Sequence, residues 1–264
     1  MRARNLPTID AGYWAAIVAA STCGTITGDL AAGPLGLGHV RGLLPLGAIF
    51  LAIIWAEKLL NWTSVAFYWL AIIVLRTMAT NIADFATHDL KLSYPVFVLL
   101  LIVFMGVMIW ADRFRTDTST QLAAQRATAS NAGLPTTDWS YWVVMLAAGV
   151  LGTALGDWLA DAGLGVYWAS LIGMPFFVAA VWVAYRFGLS KPWYWIAIAI
   201  CRTWGTDIGD MLVALFRYQG ASRPVALWVG TAISAALLAG VIYFWTQRNG
   251  ASAIAAGSNP AADK

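Results

Sequence analysis

The stretch GTALGD, residues 152–157, ends a long apolar segment with a single acid. Nearly the same phrase occurs three more times, as GTITGD at 24–29, ATNIAD at 79–84 and GTDIGD at 205–210. In every copy a Tyr-Trp pair begins twelve residues before the Thr and sixteen before the Asp. This ungapped spacing predicts four copies of one structural repeat.

The composition predicts that these repeats lie in a membrane. Of the 264 residues, 60% are hydrophobic and only 11% are charged, whereas soluble domains carry about 25% charged residues. A bilayer core of about 30 Å is crossed by roughly 20 helical residues. We therefore expect an all-α integral membrane protein with about eight transmembrane helices, two in each repeat. The predicted spans are 13–32, 42–57, 67–86, 93–111, 140–160, 166–186, 193–214 and 224–246.

The second and fourth repeats share a feature that the first and third lack. Arg76 and Arg202 each stand eight residues after the Tyr of their repeat, where the other repeats have Ser21 and Gly149. Because two spans return the chain to its starting side, all four motif helices point the same way. The presence of arginine in every second repeat then predicts two halves related by a pseudo-twofold axis. The predicted parts are a cytoplasmic N-terminus (1–12), a first half (13–112), a cytoplasmic linker (113–138), a second half (139–247) and a disordered tail (248–264).

Lysine and arginine are unevenly divided between the two sides of the predicted membrane. Of the 16 basic residues, two lie inside spans, ten lie on the side of the termini and four lie on the other side. Those four are Arg41, Lys91, Arg217 and Arg223. Since cytoplasmic loops carry the excess of Lys and Arg, both termini are expected to be cytoplasmic.

The acids of the motif need an explanation that helix packing does not provide. Small residues four apart, such as Gly152 and Gly156, let helices approach closely, but packing never requires a carboxylate. An ionised Asp in mid-helix costs roughly 2.5–3.5 kcal/mol. Sixteen residues place each Asp about 24 Å from its Tyr, in the outer third of the core. Each acid either begins a turn near the outer interface or joins a site shared by the four repeats.

The two arginines favour a shared polar site. Arg76, Thr80 and Asp84 are spaced four and four, close to one helix face. An arginine near the midplane is expected to pair with a carboxylate or to face a water-filled cavity. Two interpretations follow: a buried ion network that fixes helix register, or a cavity that holds a cation or relays protons. The predicted site residues are Asp29, Asp84, Asp157, Asp210, Thr25, Thr80, Thr153, Thr206, Arg76, Arg202 and Asp207, and the first four are the predicted metal ligands.

The fourfold G-T-x-x-G-D phrase, with GTALGDWLADAGLG (152–165) and RTWGTDIGD (202–210), resembles a family of bacterial membrane-anchored proteins of uncharacterised role, built from a "repeat of unknown function". The resemblance covers residues 12–247. The second copy departs from the pattern, with Ala79 and Ala83 in place of the glycines. The resemblance implies a repeat architecture and a multi-pass protein of the bacterial inner (plasma) membrane, and it implies no activity.

Three functions are compatible with these residues. The first is a transporter or exporter of a small cation such as Mn²⁺ or Mg²⁺, because carboxylate and hydroxyl oxygens suit hard ions. The second is a transporter of an organic anion or polar metabolite that uses Arg76 and Arg202. The third is a scaffold without transport. The sequence has no P-loop, HExxH or CxxC motif, so neither an enzyme nor a cofactor is expected. The expected partners are the lipid bilayer and a small ion or polar solute, with no nucleic acid, and the oligomeric state is left open.

Overall fold

The computed structural model describes residues 7, 9–59, 65–124 and 138–257. Within these ranges the chain is helical and contains no strand. The α-helices are α1 (Ala11–Ala32), α2 (Leu43–Leu59), α3 (Val65–Asp84), α4 (Tyr94–Ala124), α5 (Trp139–Leu159), α6 (Gly165–Arg186), α7 (Lys191–Tyr218) and α8 (Arg223–Gly257). Two short π-helices, Phe85–Asp89 and Ala160–Leu164, directly follow α3 and α5.

Two helices are longer than predicted. α4 continues to Ala124, into the predicted cytoplasmic linker, and α8 continues to Gly257, into the predicted disordered tail. The α8 extension is rich in alanine, the residue with the highest helix propensity, which favours continuation of that helix. The rest of the linker (125–137), the rest of the tail (258–264) and most of the predicted N-terminal segment lie outside the described residues.

The four motif helices form the centre of the molecule. α1, α3, α5 and α7 pack in a closed ring, each against two others in that order. The second helix of each repeat, here called its outer helix, packs on the motif helix of the next repeat. Thus α2 packs on α3, α4 on α5, and α6 on α7. α8 then packs on α1 and closes the circle. Each repeat therefore buries its motif helix under the outer helix of its neighbour.

The glycines of the motif allow the inner ring to close, as predicted. A Cβ atom added at Gly24 would lie 2.5 Å from Cγ of Arg76. One added at Gly205 would overlap Cβ of Ser21. Both contacts are far closer than van der Waals contact, so even a methyl group is excluded where these helices cross.

Several helices are suited to a lipid environment. Five stretches are long and apolar enough to cross a membrane: 11–32, 66–89, 94–111, 139–186 and 223–248. The fourth covers both α5 and α6, and α2 is apolar but shorter. α7 is not among the five, and it carries Arg202, Asp207 and Asp210.

Burial separates the inner helices from the outer ones. In the most apolar part of α1, 72% of the residues are buried inside the protein, against 11% in the 94–111 segment of α4. The outer helices expose large apolar side chains, for example Leu99, Phe176 and Trp182. Large apolar side chains exposed on these helices are typical of a lipid-facing surface.

Candidate functional site: an axis of five layers and an outer cavity

Side chains four residues apart on each motif helix form five layers along the central axis. Since four residues rise about 6 Å, the layers together span about 24 Å. In order along the motif helices the layers are Tyr13, Tyr68, Tyr141 and Tyr194; Ile17, Ile72, Met145 and Ile198; Ser21, Arg76, Gly149 and Arg202; Thr25, Thr80, Thr153 and Thr206; and Asp29, Asp84, Asp157 and Asp210. Sequence reasoning missed the second, fully apolar layer, although its four-residue spacing from the tyrosines marks it.

The first layer closes one end of the axis. The four tyrosine hydroxyls form a closed ring, with O···O distances of 3.0 Å (Tyr13–Tyr68), 2.7 Å (Tyr68–Tyr141), 3.2 Å (Tyr141–Tyr194) and 2.7 Å (Tyr194–Tyr13). A hydroxyl has one proton to donate and lone pairs to accept, so each tyrosine can donate to one neighbour and accept from the other. All four side chains are buried, and the ring seals the axis at the N-terminal ends of the motif helices.

The Arg76 guanidinium occupies the centre of the threonine layer. It donates one hydrogen bond to a threonine of every repeat, which ties all four motif helices to one side chain. The Nη1 atom donates to Thr80 at 3.2 Å and Thr153 at 2.7 Å, and Nη2 donates to Thr25 at 2.7 Å and to Thr206.

Two further acceptors complete the surroundings of Arg76. Nε donates to Oγ of Ser21 at 3.0 Å, and Nη1 also donates to the backbone oxygen of Gly149 at 3.2 Å. The residue is 1% exposed, and in the described part of the chain no carboxylate lies within 4 Å of its guanidinium. Neutral hydroxyls and a carbonyl therefore stabilise this charge, where the sequence had suggested a carboxylate or a water-filled cavity.

Arg202 belongs to the third layer, as Arg76 does, but its guanidinium has different surroundings. It is also 1% exposed, so both arginine side chains lie in the interior of the bundle. Its Nη2 atom donates to Sδ of Met145 at 3.2 Å, toward the tyrosine layer. The asymmetry has a physical reason: two like charges cannot share the centre of the threonine layer. Arg76 has the hydroxyl of Ser21 beside it, whereas Arg202 has no equivalent partner, because the matching residue in the second half is Gly149, which has no side chain.

A cavity of about 430 Å³ opens beyond the threonine layer, at the C-terminal ends of the motif helices. All four motif acids and three of the four motif threonines line it. Residues of the connecting segments form its rim, among them His39, His88 and Arg223. The structure therefore brings together Asp29, Asp84, Asp157, Asp210, Thr25, Thr80 and Thr153.

The acids in this cavity are weakly paired. Asp29 lies 3.9 Å from Nη2 of Arg223, and Asp84 lies 3.9 Å from Nδ1 of His88. Among the described residues, neither Asp157 nor Asp210 has a basic side chain within 4 Å. The cavity thus has a formal excess of negative charge on its walls.

The acids do not begin turns. α1 continues past Asp29 to Ala32, α5 continues past Asp157, and α7 continues past Asp210 to Tyr218. Only Asp84 ends an α-helix, and the chain continues directly as a π-helix. The interpretation of these residues as turn-forming is therefore wrong.

Two predicted site features are placed elsewhere. Asp207 does not line the cavity and is buried. Its carboxylate lies beside Gly156, where an added Cβ would be 2.8 Å away. The backbone oxygen of Asp207 accepts a hydrogen bond from Ser170 at 2.7 Å. In the described part of the chain, no three His, Cys, Asp or Glu residues are arranged to hold a metal ion. The four motif acids thus share a cavity without forming a ready-made set of metal ligands.

Comparison with known families finds a match within the first half of the chain. Two segments, residues 12–61 and 67–117, match the family model described as Repeat of Unknown Function (DUF347). They coincide with the first and second repeats derived from the sequence, each a motif helix followed by an outer helix. The third and fourth repeats lie outside the matched segments and follow from the shared spacing and layers.

No curated protein and no solved structure matches the chain. The DUF347 repeat carries no assigned activity in its description. The function therefore has to be argued from the cavity and from the layers beneath it.

Proposed function

We propose that this protein transports a small cation across the membrane and that the outer cavity is its binding site. The observation that carries the proposal is the convergence of one acid from each repeat, Asp29, Asp84, Asp157 and Asp210, on a single cavity. Among the described residues that line the cavity, Arg223 is the only arginine or lysine that opposes this negative charge. A concave site lined by one sign of charge concentrates ions of the opposite sign.

The dimensions favour a cation that keeps part of its water shell. A volume of about 430 Å³ exceeds that of six water molecules at about 30 Å³ each. Mg²⁺ dehydrates reluctantly and is commonly held by one or two carboxylates plus several waters. A cavity with separated acids and threonine hydroxyls suits such an ion, and Mn²⁺ accepts the same oxygen ligands.

The layers beneath the cavity act as the closed gate that a transport cycle requires. In this arrangement the cavity is open at one end, and the Arg76–threonine layer, the apolar layer and the tyrosine ring close the axis below it. The positive charge of Arg76 opposes leakage of cations through the centre. Transport then requires Arg76 to leave the threonines and the tyrosine ring to open, as in alternating access between repeats.

The alternative functions are less well supported. An anion transporter needs arginines that reach the cavity, but Arg76 and Arg202 are each 1% exposed and neither lines it. A scaffold needs its acids paired and has no use for a cavity. Asp157 and Asp210 have no basic partner among the described residues, which favours the transporter.

The proposal includes a membrane topology with eight crossings in a bacterial inner membrane and both termini in the cytoplasm. The polar helix α7 can cross because it belongs to the inner ring and is enclosed by α1, α5 and α6. A cysteine introduced at Gln219, after the end of α7, should react with an impermeant maleimide added to intact cells, and one at Gln125 should not. The reverse pattern would invert the topology and place the cavity on the cytoplasmic side.

Transport by the purified protein in liposomes tests the proposal. We expect uptake of Mn²⁺ or Mg²⁺ by the wild type, and a loss of uptake in Asp157→Asn and Asp210→Asn, which keep side-chain shape and remove charge. Asp89→Asn is the matched control, because Asp89 pairs with His39 at 3.0 Å and does not line the cavity. Full uptake by folded Asp157→Asn and Asp210→Asn protein would refute the assignment of the cavity, and no divalent-cation flux by the wild type would refute cation transport.

A further inference from the structure

Arg202 has too few partners for a charged group buried in the core of the molecule. The residue is 1% exposed, and the only hydrogen bond of its side chain to a described residue goes to the sulfur of Met145 at 3.2 Å. The Nε and Nη1 atoms are buried and have no hydrogen-bond partner among the described residues. Together these two nitrogens carry three N–H donors.

Among the described residues, no carboxylate lies within 4 Å of the Arg202 guanidinium. The acids of the cavity lie eight residues, or about 12 Å, farther along the motif helices than the Arg202 backbone. The Arg202 side chain extends in the opposite direction, toward Met145. The nearest charged residue of its own layer is Arg76, which has the same sign. A charged group buried without a counter-charge is strongly unfavourable.

We propose that Arg202 binds a small inorganic anion of halide size between the threonine layer and the tyrosine ring. The free N–H groups of Nε and Nη1 donate to this anion, and the anion's single negative charge offsets the positive charge of Arg202. The apolar layer of Ile17, Ile72, Met145 and Ile198, buried on every helix of the ring, selects against a larger oxyanion. An oxyanion would leave several acceptor oxygens without donors, whereas a halide is a single, spherical and weakly hydrated ion.

This site is separate from the cation cavity. Arg202 does not line the cavity, and the Arg76–threonine layer lies between the two. A test of anion binding at Arg202 is therefore independent of a test of cation transport.

The experiment uses purified full-length protein and bromide or chloride as the probe. Crystals grown in bromide should show an anomalous peak beside the Arg202 guanidinium. In solution, the midpoint of thermal unfolding should be higher in chloride than in gluconate at equal ionic strength. Arg202→Gln should abolish this chloride-dependent shift, and the matched control Arg217→Gln, which removes an exposed charge from the same helix, should retain it.

Three results would overturn the site: no bromide peak beside Arg202, equal midpoints in chloride and gluconate for the wild type, or an unchanged chloride shift in Arg202→Gln. If Arg202→Gln does not fold, the presence or absence of the bromide peak in the wild-type protein decides whether the anion site exists. Neither readout depends on transport.

Discussion

The hydrogen bonds of Arg76 predict that two threonines of the same layer differ in their importance for stability. Nη2 has two N–H groups and two acceptors, Thr25 and Thr206. Nη1 has two N–H groups but three acceptors: Thr80, Thr153 and the oxygen of Gly149. Replacing Thr25 by valine, which has nearly the same shape, leaves one N–H of a buried cation without an acceptor. Replacing Thr80 leaves both N–H groups of Nη1 satisfied.

The expected magnitudes follow from this count. A hydrogen bond to a charged group contributes about 1.5–3 kcal/mol, and an unsatisfied buried donor adds to the loss. We expect Thr25→Val to lower the free energy of unfolding by about 1.5–3 kcal/mol. Thr80→Val should cost about 0.5–1.5 kcal/mol, the value of an ordinary hydrogen bond. Each threonine also donates to a backbone oxygen one turn earlier, at 3.1 Å for Thr25 and 3.4 Å for Thr80, so this secondary loss is similar in both variants.

Equilibrium unfolding in mixed micelles, followed by the fluorescence of the protein's 15 tryptophans, measures both variants on one scale. The comparison is internal, because both substitutions remove one hydroxyl from the same layer. If Thr80→Val is as destabilising as Thr25→Val, the reasoning from the donor count at Nη2 and Nη1 is wrong.

Further predictions concern the other layers and the helix crossings. Tyr141→Phe breaks two of the four hydroxyl contacts of the tyrosine ring, so it should lower the free energy of unfolding by about 1–3 kcal/mol; an unchanged value would show that the ring contributes nothing. Gly205→Ala should cost about 1–3 kcal/mol, because its methyl group would overlap Ser21 where α7 crosses α1. Gly106→Ala, with no atom within 4 Å of the added methyl, is its matched control and should cost nothing; equal losses in both glycine variants would contradict the close crossing.

The regular spacing of the repeats made much of the fold predictable. A Tyr, a Thr and an Asp at fixed intervals on four apolar segments must lie near one face of each helix. Parallel motif helices then bring equivalent residues to equal depth. The grouping of Asp29, Asp84, Asp157 and Asp210 around one cavity follows from these two facts, and the other helices follow from the length of the apolar segments.

Other features depend on how the helices are rotated against one another, which spacing alone does not determine. Arg76 and Arg202 are equivalent in sequence, yet only one guanidinium fits among the threonines, so packing makes their surroundings unequal. Asp207 follows Thr206 by one residue, about 100° around the helix, and this rotation carries it away from the cavity toward α5 and α6. A stricter use of helical periodicity would have removed Asp207 from the predicted site.

The central claim, that the four motif acids together bind one cation, is tested most directly by Mn²⁺ binding to the purified protein, measured by electron paramagnetic resonance. We predict saturable binding of one Mn²⁺ per chain that retains bound water, unchanged binding in Asp89→Asn, and loss of binding in the double variant Asp157→Asn with Asp210→Asn. Equal Mn²⁺ binding by the folded double variant and the wild type, or no saturable binding by the wild type, would contradict the claim.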